Sequence, residues 1–401
     1  AFPEADGVPT VIEHAPYDPL VVTDLSHLTG QDQEDAVLAQ ARTHALTPFD
    51  LAAGPLLRAA LLVLDSERHV LLVNQHHIVS DGWSMGVMIR ELAALYGAFV
   101  EGSEPALTPL AVHYTDYAAW QRAWLAGETL ERQLGYWSAQ LGGAPQVLEL
   151  PADRPRPAVQ SYRGAHLTTQ LDAALAERLK ALGQARGATL FMTLLAAFEL
   201  LLARYSGQDD LLVGSPIANR TAAGSEGLIG FFVNTLVLRA RLDQAQTFDE
   251  LLAQVRRSAL DAYAHQDLPF EQLVERLNPE RSLSRSPLFQ VMFVLQHHAD
   301  GGLDLPGLDI QPLAQDTPIA KFDLTLAAAE TGDGLRLVWE YATDLFEHAR
   351  IARMAEHFAV LLEGIVADPA AELRRLPLLT DAETRQLAEW NATDTDYPAE
   401  L

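Results

Sequence analysis

The stretch Asn74-Gln75-His76-His77-Ile78-Val79-Ser80-Asp81-Gly82-Trp83-Ser84 decides how this chain is read. Two apolar runs precede it, at 56–64 and 69–74, separated by Asp65-Ser66-Glu67-Arg68, and together they predict a hairpin of buried strands. After it, Val87, Leu92, Leu95 and Val100 fall near helical spacing and predict a helix over 84–100, with Ser84 as its N-cap. The stretch is therefore a strand-to-helix loop, where rigid elements aim side chains into the space between them. Side chains alternate along a strand, so His76 and His77 face opposite ways, one inward and one towards a cavity. Asp81 either orients an imidazole or pairs with a cation and braces the loop. Gly82 either admits a ligand or a second backbone, or supplies a positive φ. On chemistry alone, a reacting site and a structural histidine pair both remain open. His76, His77 and Asp81 are also metal-ligand types. However, adjacent histidines are poorly placed to share one ion and no His-x-x-x-His helix follows, so no metal is expected.

Further out, amphipathic patterns predict helices over 31–43, 112–124, 130–141, 173–182, 190–205, 248–265 and 347–368. Strands are predicted over 211–215, 231–242 and 289–296, with a strand pair, 322–328 and 335–341, joined through Gly332-Asp333-Gly334. The mixture is α/β. In Pro151-Ala152-Asp153-Arg154-Pro155-Arg156-Pro157, three prolines cannot continue a helix and favour an extended connector. The expected organisation is an amino-terminal lobe over 1–150, a connector over 151–164, a carboxy-terminal lobe over 165–375 and a polar linker over 376–401.

Composition narrows the function classes. The chain has 401 residues, with 28 Lys plus Arg against 54 Asp plus Glu, a formal charge of −26. Such a surface repels nucleic-acid phosphates and anionic lipids, so neither is an expected partner. Cysteine is absent, which excludes disulfides, a thiolate nucleophile and Cys-ligated metal, and suits a reducing cytoplasm. No apolar run approaches the roughly 18 residues of a membrane span. The chain starts at Ala1-Phe2-Pro3 and ends on Pro398-Ala399-Glu400-Leu401, so both ends are expected to continue in a longer polypeptide.

His76-His77-Ile78-Val79-Ser80-Asp81-Gly82 matches the HHxxxDG signature of the condensation domains of nonribosomal peptide synthetases, members of the chloramphenicol-acetyltransferase-like superfamily. Tyr114-Thr115-Asp116-Tyr117-Ala118-Ala119-Trp120 resembles the family's YxDxAxW motif, and Ile229-Gly230-Phe231-Phe232-Val233-Asn234-Thr235-Leu236 its IGxFVNTL motif. His265-Gln266-Asp267-Leu268-Pro269-Phe270-Glu271 resembles HQDxPFE, and Arg285-Ser286-Pro287-Leu288-Phe289-Gln290-Val291-Met292-Phe293 resembles RxPLFQVxF. Trp390-Asn391-Ala392-Thr393 with Tyr397-Pro398 looks like the linker into an adenylation domain. The resemblance covers almost the whole chain. It implies an α/β fold of two chloramphenicol-acetyltransferase-like lobes, a V-shaped pseudo-dimer with a tunnel between them.

The implied reaction is peptide bond formation between a donor thioester and the α-amine of an acceptor aminoacyl thioester. Both ride on phosphopantetheine arms of upstream and downstream carrier domains, and no cofactor is bound by the domain itself. The resemblance assigns catalysis to His77, with His76, Asp81 and Gly82, and a tunnel lining to Trp83, Ser215 and Asn234. Read from the residues alone, Tyr114 and Trp120 are packing, Asn234 satisfies backbone groups, Ser215 is structural, His265 caps a helix and His297-His298 is exposed. Trp83 directly after Gly82, and the intact histidines, point to the subtype joining an L-configured donor to an L-amino acid. Carrier docking is expected at cations such as Arg154, Arg156, Arg281 and Arg285.

There is one departure. The family's two motifs before HHxxxDG are absent, so the chain is expected to lack the first strand and helix of its first lobe. The resemblance implies that the aspartate pairs with an arginine from the second of these motifs, so Asp81 is expected to lack that partner. Three alternatives stand beside condensation. One is a non-catalytic docking domain of the same superfamily, against which the intact histidines argue. Another is a coenzyme A-dependent acyltransferase, against which the linker argues. The third is an inactive or unstable truncated chain.

Overall fold

The structure, a computed structural model, describes residues 1–280, 282–296, 305–313 and 319–393. The chain divides into two compact units. Among the described residues, the first takes 1–122, 218–233 and 305–313, and the second takes the rest.

In the first unit, β1 (Glu4–Ala5) and β2 (Val8–Pro9) form a short hairpin. β3 (Leu20–Asp24), α1 (Gln31–Leu46), β4 (Leu57–Val63), β5 (His69–Gln75), α2 (Gly82–Glu101) and α3 (Tyr114–Trp124) follow. β4 and β5 pair antiparallel with Leu57 opposite Gln75, and β3 runs parallel to β4. The predicted hairpin is present, and the Asp65 carboxylate accepts the backbone N–H groups of Glu67 and Arg68 at its turn. Leu62 and Leu72 pack on Val37 and Ala41 of α1, a small core that anchors the strand ending just before His76.

The second unit contains α4 (Gly127–Leu141), β6 (Gly164–Asp172), α5 (Ala173–Ala185), α6 (Leu190–Ser206), β7 (Asp210–Ile217), β8 (Asn234–Arg241), α7 (Phe248–Ala264), α8 (Phe270–Leu277), β9 (Val291–Gln296), β10 (Leu324–Thr331), β11 (Gly334–Ala342), α9 (His348–Ala367) and α10 (Asp381–Asn391). Its sheet has the order β6-β11-β10-β9-β7-β8, parallel at β10/β9 and β9/β7 and antiparallel elsewhere. α6 is apolar all round and correspondingly buried, as a helix at the centre of a large core must be. Phe198 on it meets Phe293, Trp339 and Phe358. Glu199 lies in the same buried run, and burial pushes its carboxyl up to about 8.

Three boundaries differ from the sequence reading. Residues 123–150 belong to the second unit, because Trp137, Leu141 and Leu148 are part of its core and the Trp137 indole N–H donates to the His265 carbonyl at 2.8 Å. Residues 218–233, between β7 and β8 in sequence, fold with the first unit. The polar segment after 375 contains α10, started by a Thr380–Glu383 capping box and tied by Glu383 to His357 at 2.8 Å. Among the described residues, no single helix is long and apolar enough to cross a membrane.

Candidate functional site

β5 ends at Gln75, and a single 3-10 turn, His77–Val79, leads towards α2. The two histidines do divide. His76 is half-buried, and its Nδ1 accepts the Ile78 backbone N–H at 3.0 Å, which leaves the ring proton of the neutral form on Nε2. Its ring stands edge-on to Phe49 at 6.0 Å. His76 therefore caps and braces the turn. His77 is exposed, and among the described residues no hydrogen bond reaches its ring. The ring of Phe231 stands across it at 5.2 Å and 85°.

Asp81, not Ser84, is the N-cap of α2; its Oδ1 accepts the Ser84 N–H at 2.8 Å. Ser84 lies one turn further in and is fully buried. Its hydroxyl donates to the Gly230 carbonyl at 2.9 Å and accepts the Gly230 N–H at 3.1 Å. The other oxygen of Asp81 accepts the Phe232 N–H at 2.9 Å.

Asp81 nonetheless has an arginine partner, supplied from later in the chain and not from the upstream motif. Arg220 donates to Asp81 Oδ1 at 3.0 Å and to the Ser84 hydroxyl at 2.7 Å. Its other terminal nitrogen donates to the Ser225 and Leu228 carbonyls at 2.5 and 2.8 Å. The guanidinium also lies 4.0 Å over the Phe232 ring. The two charged side chains are 3% and 2% exposed, so this is a buried ion pair. Burial alone would push the Asp81 carboxyl up. The Ser84 and Phe232 N–H groups, the Ser84 hydroxyl and the Arg220 charge outweigh it and hold the carboxyl below the ordinary aspartate value. Asp81 is thus a brace, its two oxygens turned to Ser84, Phe232 and Arg220.

Tyr114 and the stretch Gly230–Phe232 converge on the same loop. The Tyr114 hydroxyl donates to the Phe231 carbonyl at 2.7 Å, and its ring meets Phe232 edge-on at 5.1 Å. Gly230 must lack a side chain, because a Cβ there would stand 2.2 Å from the Tyr114 ring. Tyr114 is a packing residue, as expected, and Tyr117 packs beside it. Trp120 packs its ring on Tyr117 at 5.7 Å, as expected, and edges a cavity of about 380 Å³, lined also by Val112, Ala222 and Leu228. Trp83 is half-exposed and its indole N–H donates to the Glu226 carbonyl at 2.9 Å. Gly82 opens α2 without a positive φ, and a Cβ on it would meet nothing within 4 Å. The chain's own fold does not require glycine there.

Ser215 and Asn234 belong to the second unit. Ser215 is buried in β7 opposite Leu236. The Asn234 amide donates to the Gln266 and Leu268 carbonyls, both at 2.8 Å, and accepts the Thr235 and Phe270 N–H groups. It is a backbone clamp on the turn before α8. His265 caps α7 and stacks on Tyr136 at 4.0 Å. His76, His77 and Asp81 do not converge, and among the described residues no three His, Asp or Glu side chains are grouped to hold a metal. The cations suggested for carrier docking have acidic neighbours: Arg154 by Glu347, Arg156 by Asp323 and Arg285 by Glu280. Arg281 and His297-His298 lie outside the described residues.

A strand-to-helix histidine loop in a mixed α/β fold, with Tyr114 and Gly230–Phe232 packed on it, defines the class. The family model described as Condensation domain matches residues 4–388, and the chain belongs to this family. It is 51% identical over 384 residues to one of the linear gramicidin synthase proteins of Brevibacillus parabrevis, covering 95% of this chain and 5% of that protein. The chain thus spans about a twentieth of that relative's length. Among solved structures, it is similar to the X-domain in a complex with OxyB from teicoplanin biosynthesis. The TM-score is 0.83 and the identity 31%, over 95% of this chain and 84% of that one. It is also similar to a holo four-domain nonribosomal peptide synthetase bound to AMP and glycine, with a TM-score of 0.78 and 26% identity over 92% of this chain and 29% of that one.

Proposed function

We propose that this chain forms amide bonds in nonribosomal peptide biosynthesis. The acceptor α-amine attacks the donor thioester carbonyl; the new C–N bond forms, the C–S bond breaks and the thiol leaves with a proton. The observation that carries this reading is the exposed ring of His77, free of hydrogen bonds among the described residues, on a loop braced by a buried ion pair. An α-amine has a pKa near 7.7–8.0, so roughly a tenth is already neutral at pH 7 and no strong base is needed before attack. The proton must leave once nitrogen bonds carbon, and an imidazole can take it. Equally, His77 can hydrogen-bond and align the amine, which suits two tethered substrates. Gly82, at the open N-terminus of α2, leaves room for the reacting groups, and its N–H would steady them.

The partners of this reading are donor and acceptor carrier domains with phosphopantetheine arms and a downstream adenylation domain, in the cytoplasm, with L-configured donor and acceptor. A second reading, a docking domain, is favoured by the likeness to the X-domain in its complex with OxyB. One experiment separates the two: donor and acceptor carriers are loaded, the chain is added and the acceptor carrier is followed by mass spectrometry. Condensation extends the acceptor and His77→Ala abolishes this. No extension by the wild-type chain refutes condensation, and full extension by His77→Ala refutes the role of His77.

A further inference from the structure

We infer that Phe231 is the positioning residue for His77: its ring, clamped to the same loop, sets the imidazole orientation during amide bond formation. This rests on the reading of His77 given above. An exposed histidine whose ring makes no hydrogen bond among the described residues relies on ring packing to select among its staggered rotamers. The Phe231 ring supplies that packing, at 5.2 Å between centroids and 85° between planes, within the range of edge-to-face pairs.

Phe231 is itself 37% exposed, so burial does not fix it. Its backbone does. Its carbonyl accepts the Tyr114 hydroxyl at 2.7 Å. The next residue donates its N–H to Asp81 at 2.9 Å, and the preceding Gly230 exchanges two hydrogen bonds with the Ser84 hydroxyl. Three of these four contacts end on Asp81 or Ser84, four and seven residues after His77. The ring that faces His77 is therefore referenced to the loop that carries His77, and the two cannot drift apart without breaking the Asp81 brace. Phe231 carries no group that can accept or release a proton. Its contribution is to restrict the imidazole and to cover one flank of it, leaving the other for the amine. Such a residue changes turnover and leaves the capture of carriers alone.

The test uses the full chain in the loaded-carrier assay, with NMR of ¹³C-labelled histidine in parallel. The His77 ring resonance is assigned by its loss in His77→Ala. Phe231→Leu and Phe231→Met are expected to lower kcat about 10- to 100-fold, the scale of a small misplacement of a reacting group. KM for each carrier should stay within about twofold of wild type, and Phe231→Tyr should restore kcat to within about threefold. The His77 resonance should move in the Leu and Met variants, through loss of the ring current, and return towards its original position with Tyr. Wild-type kcat in both the Leu and Met variants, or an unmoved His77 resonance, overturns the inference. The outcomes stay distinguishable. If His77→Ala is fully active, the reading of His77 fails; if His77→Ala is inactive while the Phe231 variants are unaffected, only this inference fails. The resonance needs no turnover, so it decides the matter even for a chain that makes no product.

Discussion

Arg220→Met removes the charge and four hydrogen bonds while keeping most of the apolar stem. The guanidinium side chain is 3% exposed and serves Asp81, the Ser84 hydroxyl and the Ser225 and Leu228 carbonyls. Breaking a buried ion pair from one side typically costs about 3–5 kcal/mol, because the remaining charge stays buried. The Leu228 carbonyl, left without its Arg220 donor, would add to this, whereas the Ser225 carbonyl keeps the Leu228 N–H at 3.2 Å and Asp81 keeps two backbone N–H donors, from Ser84 and Phe232. The expected loss is therefore about 3 kcal/mol, near the lower end of that range. The assay is urea denaturation by fluorescence and circular dichroism, run as a double-mutant cycle with Asp81→Leu. The double variant should be more stable than the sum of the two losses predicts, because neither charge is then left alone. The pH dependence has a definite sign. The Asp81 carboxyl is held below its ordinary value, so its contribution is present above the unfolded carboxylate pKa and is lost as pH falls through the lowered one. Without Arg220, Asp81 protonates at a higher pH, so the gap between wild type and variant should narrow towards pH 4. A loss under about 1 kcal/mol, or strict additivity in the cycle, would refute the view that these groups form one brace.

Glu199→Gln should stabilise the chain by about 3 kcal/mol at pH 7 and by almost nothing near pH 4.5. Burial raises its carboxyl to about 8, a penalty that grows as pH climbs from the unfolded pKa to the folded one. Urea midpoints that do not separate at pH 7 would show that the acid finds a partner in its core. The two glycines of the site should part company. Gly230→Ala drives a Cβ to 2.2 Å from the Tyr114 ring and should cost about 1–3 kcal/mol in a thermal melt. Gly82→Ala meets no neighbour and should leave the melt unchanged while lowering condensation; full activity would mean that the room above Gly82 serves no ligand.

The hairpin and α2 were legible because both follow simple periods in a half-buried setting: apolar runs with an Asp-led turn, then helical spacing from Val87 onwards. The cap of α2 was not. Asp81 and Ser84 are both good N-cap types, and only the fold shows that the Ser84 hydroxyl is engaged by Gly230 and Arg220. β3 carries no strand signature, because Leu20, Val21 and Val22 are all exposed and show no alternation. Phe231–Val233 looked like the start of a strand. Yet the Phe231 carbonyl goes to Tyr114 and the Phe232 N–H to Asp81, so β8 begins only at Asn234. Arg220 is almost silent in the sequence. It lies 139 residues from Asp81 on a non-periodic loop, and its one sequence signal is a lone cation among the small residues of 218–225.

That distance bears on why the site contains a buried ion pair at all. An apolar pair of similar volume would give the first unit equal or greater stability. It would not give direction. One guanidinium with four directional contacts fixes the carbonyls of Ser225 and Leu228, the α2 residue Ser84 and the cap Asp81 in a single arrangement. Asp81 then passes that arrangement to Phe232, and so to the ring that faces His77. On this account the ion pair secures position at some cost in stability. The double variant of Asp81 and Arg220 is therefore the decisive chain: it should regain much of the stability that each single change loses, and regain none of the turnover. A double variant that recovers both would mean that packing alone holds the histidine loop.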